Sequence, residues 1–366
     1  MDHLSLAPIQ KSISTDELSR EEIEAKNIIN NIFEHDEDRG AMSTLVTGMP
    51  GSCKTALDCN FIEYAMNHYR EDKIFFRNAL NAPIQAFKLP KWQLFIEQDS
   101  GIQFFDRKTG KNHTPILQEK GKITTFKTMD DLYEMAEPRV CNCVYFKDLH
   151  LKDVDEDAGT FGWFRFIRYL IHKKDWQHVL LDEVHEMIKS GASGQLWHEI
   201  KKHSHDVSNA RKGNVVYHAN CHQVNEIDHR VTANIMILIQ MYGSHGYKHS
   251  PVNKNALNGI PRPNEKTGAV SWISMAGRFG RFTLKKVYKL PWNMSIEARI
   301  VGELEHTKVC PQCQRIYIYT RSDQIYCSPN CARRASEQRK KEQEQYREEG
   351  SDIGISVPFP HPHSTI

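Results

Sequence analysis

An apolar run that ends in a glycine-rich loop, followed by a lysine and a helix, most strongly constrains how this chain can fold. The run AMSTLVTG (41–48) predicts a short buried strand, and a helix is expected from Lys54 to Tyr69. The segment between them reads Gly48-Met-Pro-Gly51-Ser-Cys53-Lys54-Thr55. A strand, a glycine turn and a helix that begins with lysine are the context of the Walker A motif, so we expect a phosphate-binding loop here.

The loop predicts contacts with ATP and Mg²⁺. Backbone N–H groups and the helix N-terminus would wrap the phosphates. Lys54 would neutralise the β and γ oxygens, and Thr55 would offer its hydroxyl to Mg²⁺. Cys53 departs from the motif, which has glycine before the lysine; a side chain is tolerated there if the backbone is near-helical. The alternative is a glycine turn that binds nothing. The nucleotide-binding set in the loop is Gly48, Met49, Pro50, Gly51, Ser52, Cys53, Lys54 and Thr55.

A second motif places two acids after an apolar strand. The segment WQHVLLDEVHE puts Asp182 and Glu183 at the end of the strand predicted at 178–183. We assign Asp182 to the nucleotide's Mg²⁺, together with Thr55, and Glu183 to the water that attacks the γ-phosphate. His185 and Glu186 lie on the following turn and are equally well explained as surface groups.

A third apolar strand, NVVYHAN, also ends in polar residues. Asn220, His222 and Gln223 could reach the γ-phosphate and report hydrolysis, or could simply be polar loop residues at a strand exit. We assign Asn220 and Gln223, with Lys54 and Glu183, to the catalytic set. Candidates for an arginine finger that acts on a neighbouring subunit are Arg211, Lys212 and Arg230.

Apolar strands that alternate with helical stretches predict an α/β fold with a mostly parallel sheet flanked by helices. The predicted organisation is a polar helical leader (1–38), a P-loop ATPase core (39–245), a linker with a small β extension (246–301), a zinc finger with a charged helix (302–347) and a disordered tail (348–366). A β hairpin is expected within the extension.

Four cysteines near the C-terminus have the spacing of a metal site. They are Cys310, Cys313, Cys327 and Cys331, arranged as two close pairs. Two thiolate pairs on two turns suit a tetrahedral Zn²⁺, and a closed four-sulfur set indicates a structural site. The surrounding basic residues could contact nucleic acid, although glutamates after Glu337 make a salt-bridged solvent helix an equal alternative.

The charge distribution, the apolar runs and the cysteine count indicate the kind of partner and the cellular compartment. The formal net charge is +2, but residues 262–341 hold sixteen Lys or Arg against six Asp or Glu, which suits an anionic partner such as DNA. No run approaches the roughly 20 apolar residues of a membrane helix, and the N-terminus has no secretion-signal pattern. Nine cysteines, an odd number, fit a reducing cytoplasm, which would be the host cytoplasm for a viral protein.

The three nucleotide-site segments together resemble the FtsK/HerA group of P-loop ATPases. The resemblance extends from Ser43 to Met241. Within the group, this segment is most similar to zonula occludens toxin (Zot)-like proteins and viral DNA-packaging ATPases. The matching positions are Gly48, Gly51, Lys54 and Thr55 in the first motif, Asp182 and Glu183 in DEVHE, and the segment ANCHQVNEIDHRVTANI. The family's sensor glutamine falls on Cys221 without a gap, or on Gln223 with a longer loop.

The resemblance implies an ATP-hydrolysing motor that forms a homo-oligomeric ring and packages or translocates double-stranded DNA. A capsid or membrane assembly partner is possible. Two alternatives remain: a nucleotide-dependent DNA-binding regulator or scaffold, in which Cys53 compromises turnover, and a Zot-like phage morphogenesis factor that acts with a membrane partner.

Overall fold

The computed structural model describes residues 19–78, 82–146, 162–192, 194–245, 250–264, 268–284, 295–301, 307–309, 312, 316–318, 325–326 and 331–338. The chain divides into two compact units, Met1–Ile300 and Val301–Ile366.

The first unit contains strands and helices in alternation. Its strands are β1 (Ser43–Thr47), β2 (Lys73–Arg77), β3 (Trp92–Glu97), β4 (Ile102–Asp106), β5 (Ile123–Phe126), β6 (Cys141–Tyr145), β7 (Gln177–Leu181), β8 (Val215–Cys221), β9 (Ile237–Gln240), β10 (Ala269–Met275), β11 (Arg278–Leu284) and β12 (Ile296–Ile300). Its helices are α1 (Arg20–Phe33), α2 (Lys54–His68), α3 (Thr114–Glu119), α4 (Met129–Met135), α5 (Gly162–Lys173), α6 (Gly194–Ala210), α7 (His229–Thr232) and α8 (Lys254–Asn258).

One large sheet organises the first unit. Its ten strands have the order β11-β10-β9-β1-β8-β7-β2-β6-β3-β5. The strands from β9 to β5 pair in parallel, β10 pairs antiparallel with β9, and β11 pairs antiparallel with β10. The predicted α/β class with a mostly parallel sheet is therefore confirmed.

Helices cover both faces of this sheet. One buried cluster includes Ile28 of α1 and Leu57 of α2, and a second cluster includes Ile167 of α5 and Val207 of α6. A parallel sheet buried on both faces needs apolar residues on both sides of each strand, and β1 and β7 are buried along their whole length.

The predicted hairpin is present, but its place differs from the expectation of a separate extension. Strands β10 and β11 continue the main sheet next to β9, and β12 pairs with β4. The described part of 246–301, through Ile300, thus belongs to the first unit. The sequence suggested a boundary after residue 245 because the turn-rich segment there interrupts the strand pattern.

The helix predicted in the leader is also part of the first unit. Ser19 caps α1 in a capping box with Glu22. Ile28 and Ile32 are buried, and a Cβ on Gly280 of β11 would lie 2.3 Å from the Ala25 nitrogen. The helix therefore packs directly on β11, where only glycine allows so close an approach.

The second unit is described only in short pieces. Strands β13 (Thr307–Val309) and β14 (Ile316–Ile318) pair antiparallel, and residues 331–338 are helical. Cys310, Cys313 and Cys327 lie outside the described residues, as does the tail predicted at 348–366. No helix in the described parts of either unit is long and apolar enough to span a bilayer.

Candidate active site

The residues predicted from the three motifs meet at one edge of the sheet. Strand β8 lies between β1 and β7, and all three run parallel, so their carboxyl ends lie side by side. The glycine loop leaves β1, the two acids follow β7, and Asn220 lies at the end of β8. Ligands of open α/β sheets bind outside the carboxyl ends of the strands, and this edge is the candidate active site.

The glycine loop is held closely against its neighbours. The Gly48 N–H donates to the His222 carbonyl at 3.1 Å, and the Met49 N–H donates to the Tyr242 carbonyl at 3.0 Å. A Cβ on Gly48 would lie 2.5 Å from Ser52 Oγ. Gly51 adopts a positive φ of 82°. Both glycines are therefore required by the shape of the loop.

The backbone conformation of Cys53 differs from the near-helical one that the sequence analysis required for a side chain at this position. Its φ of 75° and ψ of 24° place it in the left-handed region, and not in the near-helical conformation that would tolerate a side chain without strain. A non-glycine residue in this region carries a conformational cost of roughly 1–2 kcal/mol. The loop nevertheless keeps the conformation for which the Walker A motif selects glycine, because the surrounding contacts hold it.

Lys54 begins α2 and points back over the loop. Its side chain is buried, and Nζ donates to the Gly48 carbonyl at 2.7 Å and lies 3.2 Å from His222 Nδ1. Ser52 Oγ is buried without a hydrogen-bond partner among the described residues. Thr55, in the first turn of α2, is half-buried.

Asn220 orients the acidic pair. Its amide nitrogen donates to Asp182 Oδ1 at 2.9 Å and also to Asp58 Oδ2, while its oxygen accepts the Glu183 N–H at 2.9 Å. Glu183 turns away from the strand with a φ of 51°. Since the Asn220 amide uses both its donors and its acceptor, it holds the Asp182 carboxylate and the backbone of Glu183 in place.

Burial makes the ionised forms of Asp182 and Asp58 unfavourable. The pKa of Asp182 rises from the usual 3.8 to about 6, first because the carboxyl is buried and second because Glu183 is charged beside it. Asp58, on α2, has its pKa raised well above the usual value by burial and by the charge of Asp182. A buried carboxylate pair of this kind is stabilised by a cation.

Arg77 supports the acidic turn from β2, and the sequence analysis did not identify it. Its side chain is 1% exposed; Nη1 donates to the Asp182 carbonyl, and Nη2 lies 2.9 Å from Glu186 Oε2. The Asp182 N–H in turn donates to the Arg77 carbonyl at 3.1 Å. Glu186, which sequence alone could not separate from a surface group, therefore has a structural partner. The sequence alone offered no signal for Arg77, because the place of β2 beside β7 is set by the order of strands in the sheet.

His222 connects the lysine to the second acid. Its Nδ1 lies next to Lys54 Nζ, and its Nε2 lies 3.4 Å from Glu183 Oε2. His185 Nδ1 is 3.3 Å from the same carboxylate oxygen. These three side chains each place one ligand atom within 4.8 Å of the others, so they could also hold a metal ion.

The other predicted residues lie further from the loop. The Gln223 amide donates to the Gly243 carbonyl and accepts the His245 N–H, so it holds the loop after β9. Cys221 is buried. Among the arginine-finger candidates, Arg230 pairs with Asp228, while Arg211 and Lys212 are exposed.

No protein-family model and no curated protein matches the chain. Among the solved structures that are similar to it are two viral or bacterial proteins and one pair of ATPase domains. The genome packaging NTPase B204 of Sulfolobus turreted icosahedral virus 2, in complex with ATP-gammaS, is 12% identical with a TM-score of 0.39, over 67% of this chain and 97% of that chain. The N-terminal domain of zonular occludens toxin from Neisseria meningitidis is 12% identical with a TM-score of 0.30, over 68% and 100%. EssC (ATPases 2 and 3) from Geobacillus thermodenitrificans is 8% identical with a TM-score of 0.31, over 67% and 40%.

The two kinds of protein that the sequence resembles, viral packaging ATPases and zonula occludens toxin proteins, are thus both among the matched structures. Likeness at this level carries no inference about activity, since one fold hosts many functions. The function has to be inferred from the site itself.

Proposed function

We propose that the chain is an ATPase and that it hydrolyses ATP at the edge formed by β1, β8 and β7. The observation that supports this most directly is the convergence of Lys54, Asp182 and Glu183, with Asn220 fixing both acids. A glycine loop, a lysine at a helix start and an adjacent acidic pair are the parts that phosphoryl transfer to water requires.

The residues present fit a triphosphate with Mg²⁺. The closed glycine loop and the α2 N-terminus offer N–H groups to phosphate oxygens, and the buried Ser52 hydroxyl lacks a partner among the residues described. Thr55 and Asp182 are the side chains that would hold Mg²⁺, and the raised pKa of Asp182 marks a carboxylate that needs a cation. Mg²⁺, when bound, supplies charge neutralisation and orients the γ-phosphate.

Each side chain then has a defined task. Lys54 leaves the Gly48 carbonyl and binds phosphate oxygens, because its ammonium is more strongly attracted by their charge. Glu183 orients the attacking water and accepts its proton. Asn220 holds the Glu183 backbone and the Asp182 carboxylate, so both acids keep their directions while the water attacks.

A Glu183→Gln substitution tests the proposal. The amide keeps the size of the side chain but cannot accept the proton, so steady-state phosphate release should fall at least 100-fold while labelled ATP still binds. The matched control is Glu119→Gln, an exposed glutamate on α3, which should hydrolyse ATP normally. Unchanged phosphate release in Glu183→Gln would refute the assignment.

We further propose that hydrolysis drives movement or packaging of DNA by a homo-oligomeric ring. The excess of basic residues between 262 and 341 supports an anionic polymer as the partner. DNA should then stimulate phosphate release by the wild-type protein, and negative-stain images with an ATP analogue and DNA should contain rings.

One observation favours the alternative of a nucleotide-dependent DNA-binding regulator. The left-handed backbone of Cys53 is a strained form of the loop, and strain there could slow turnover without preventing binding. Tight ATP binding, DNA binding in a gel-shift assay and phosphate release that DNA leaves unchanged would support the regulator over the motor.

A structural Zn²⁺ on Cys310, Cys313, Cys327 and Cys331 remains part of the proposal, supported by their spacing in the sequence. Cys310→Ser should lose one equivalent of zinc, measured by atomic emission. The control Cys59→Ala removes a buried thiol of α2 and should retain it. Full zinc content in Cys310→Ser would contradict the four-thiolate site.

A further inference from the structure

Two histidines and an aspartate meet at the amino-terminal ends of β2 and β7, on the opposite side of the sheet from the candidate active site. His35 follows α1, Asp72 precedes β2, and His178 is the second residue of β7. Asp72 Oδ2 lies 2.9 Å from His35 Nε2 and 3.0 Å from His178 Nε2. His178 and Asp182 are four residue steps apart, which is about 13 Å along an extended strand. This cluster is therefore separate from the nucleotide site.

We propose that His35, Asp72 and His178 form a structural site for a divalent transition metal of the Zn²⁺ class. Imidazole nitrogens and a carboxylate oxygen are the donors that Zn²⁺ takes in proteins, at about 2.0–2.2 Å. Tetrahedral ligands at that distance are about 3.3 Å apart. The three donor atoms lie within 4.8 Å of one another, so they are close enough to share one ion after adjustment of the side chains.

Hydrogen bonding within the cluster does not account for all of its polar atoms. His178 Nε2 and Asp72 Oδ2 form a hydrogen bond. His35 Nε2 is equally close to the same oxygen, but its approach is not that of a normal hydrogen bond. Two ring nitrogens thus converge on one carboxylate oxygen, an arrangement that a shared metal ion would also satisfy.

Neighbouring residues hold the three donor side chains in place, and of these side chains that of His35 is the most exposed. The His35 ring is stacked between Tyr69, at 4.1 Å between ring centroids, and Trp176, at 4.0 Å. The His178 and Asp72 side chains are 1% and 6% exposed, whereas that of His35 is 24% exposed. The His178 and Asp72 donors are therefore fixed by the core, and the His35 ring is fixed by its two aromatic neighbours.

The site would tie the segment after α1 to two strands of the sheet. Because α1 packs on β11 at one edge of the sheet, a metal that joins His35 to β2 and β7 would anchor the N-terminal segment to the middle of the sheet as well. Its role is structural, since the candidate active site lies at the other strand ends.

Cadmium-113 NMR of the full-length protein tests this, because nitrogen and oxygen ligands give resonances far from those of thiolate sites. Wild-type protein titrated with Cd²⁺ should give a nitrogen/oxygen-type resonance. The resonance should persist in His222→Asn, which removes a donor of the other histidine cluster. It should disappear in His35→Phe, which keeps the ring between Tyr69 and Trp176 but removes the donor.

Two further variants complete the experiment. His68→Phe replaces a nearby histidine that stacks on Tyr64 and should retain the resonance. Asp72→Asn removes the carboxylate charge and should lose it, which provides a second route if His35→Phe folds poorly. Absence of the resonance from wild-type protein, or its survival in a folded His35→Phe or Asp72→Asn protein, would overturn the proposal.

Discussion

Replacing Asp182 by asparagine should stabilise the nucleotide-free protein while it abolishes hydrolysis. The Asp182 carboxyl is 4% exposed, and its pKa is raised from 3.8 to about 6 by burial and by the charge of Glu183. A rise of about 2 pH units corresponds to about 3 kcal/mol of unfavourable ionisation at neutral pH. The amide loses about 1 kcal/mol of hydrogen bonding to Asn220, so a net gain of about 2 kcal/mol is expected.

The sign of the pH dependence follows from the raised pKa. Below pH 3.8 the carboxyl is protonated in both the folded and the unfolded chain, and its contribution to stability is fully present. As the pH rises from 3.8 through the folded pKa of about 6, the carboxyl ionises more readily in the unfolded chain than in the folded chain. This contribution to the free energy of unfolding is therefore lost. Asp182→Asn should therefore be more stable than wild type above pH 6, with the difference vanishing near pH 4.

Urea denaturation at pH 7.5, 5.5 and 4 measures this difference directly. At neutral pH the melting temperature should rise by about 5 °C, given roughly 2–4 °C per kcal/mol for a large domain. Asp38→Asn, which neutralises an exposed aspartate, should change neither the free energy of unfolding nor the melting temperature. The reasoning would be refuted by an asparagine variant that is less stable than wild type at pH 7.5, or by an advantage that does not change with pH.

Two further substitutions test the strain and the support around the site. Cys53→Val should be less stable than Cys53→Gly by about 2 kcal/mol in urea denaturation, because a β-branched residue is disfavoured at φ of 75°; equal stabilities would show that the loop relaxes to another conformation. Arg77→Met should lower the free energy of unfolding by about 3 kcal/mol or more and reduce kcat for ATP, since it leaves the Asp182 carbonyl and Glu186 without their buried partner. A fully active and stable Arg77→Met protein would contradict that role.

The central strands and the glycine loop could be predicted because their signals are local. The apolar runs before Gly48 and before Asp182 are strands in the structure, and the helix expected from Lys54 ends at His68. Backbone chemistry explains this success: a strand buried on both faces needs a continuous apolar run, and the turn after it needs glycine.

Pairings across the chain could not be predicted in the same way. Asp58 and Arg77 contact the acidic pair only because α2 and β2 pack beside β7, more than 100 positions away along the chain. His222, and not Gln223, lies beside Lys54, since the Gln223 amide is bonded to the loop after β9. The β hairpin was expected as an extension because local sequence shows that two strands pair with each other, but not which third strand they join.

The sequence by itself determined the mostly parallel α/β class, the positions of the strands in the chain, and the residue types that can bind a triphosphate and activate water. Only the tertiary structure decided which of those residues are neighbours, that Cys53 lies in the left-handed region, and that His35, Asp72 and His178 meet at the opposite edge. The physical reason is that propensity and hydrophobic pattern act over a few residues. The order of strands and the partners of buried charges are set by packing among segments that are distant in the chain.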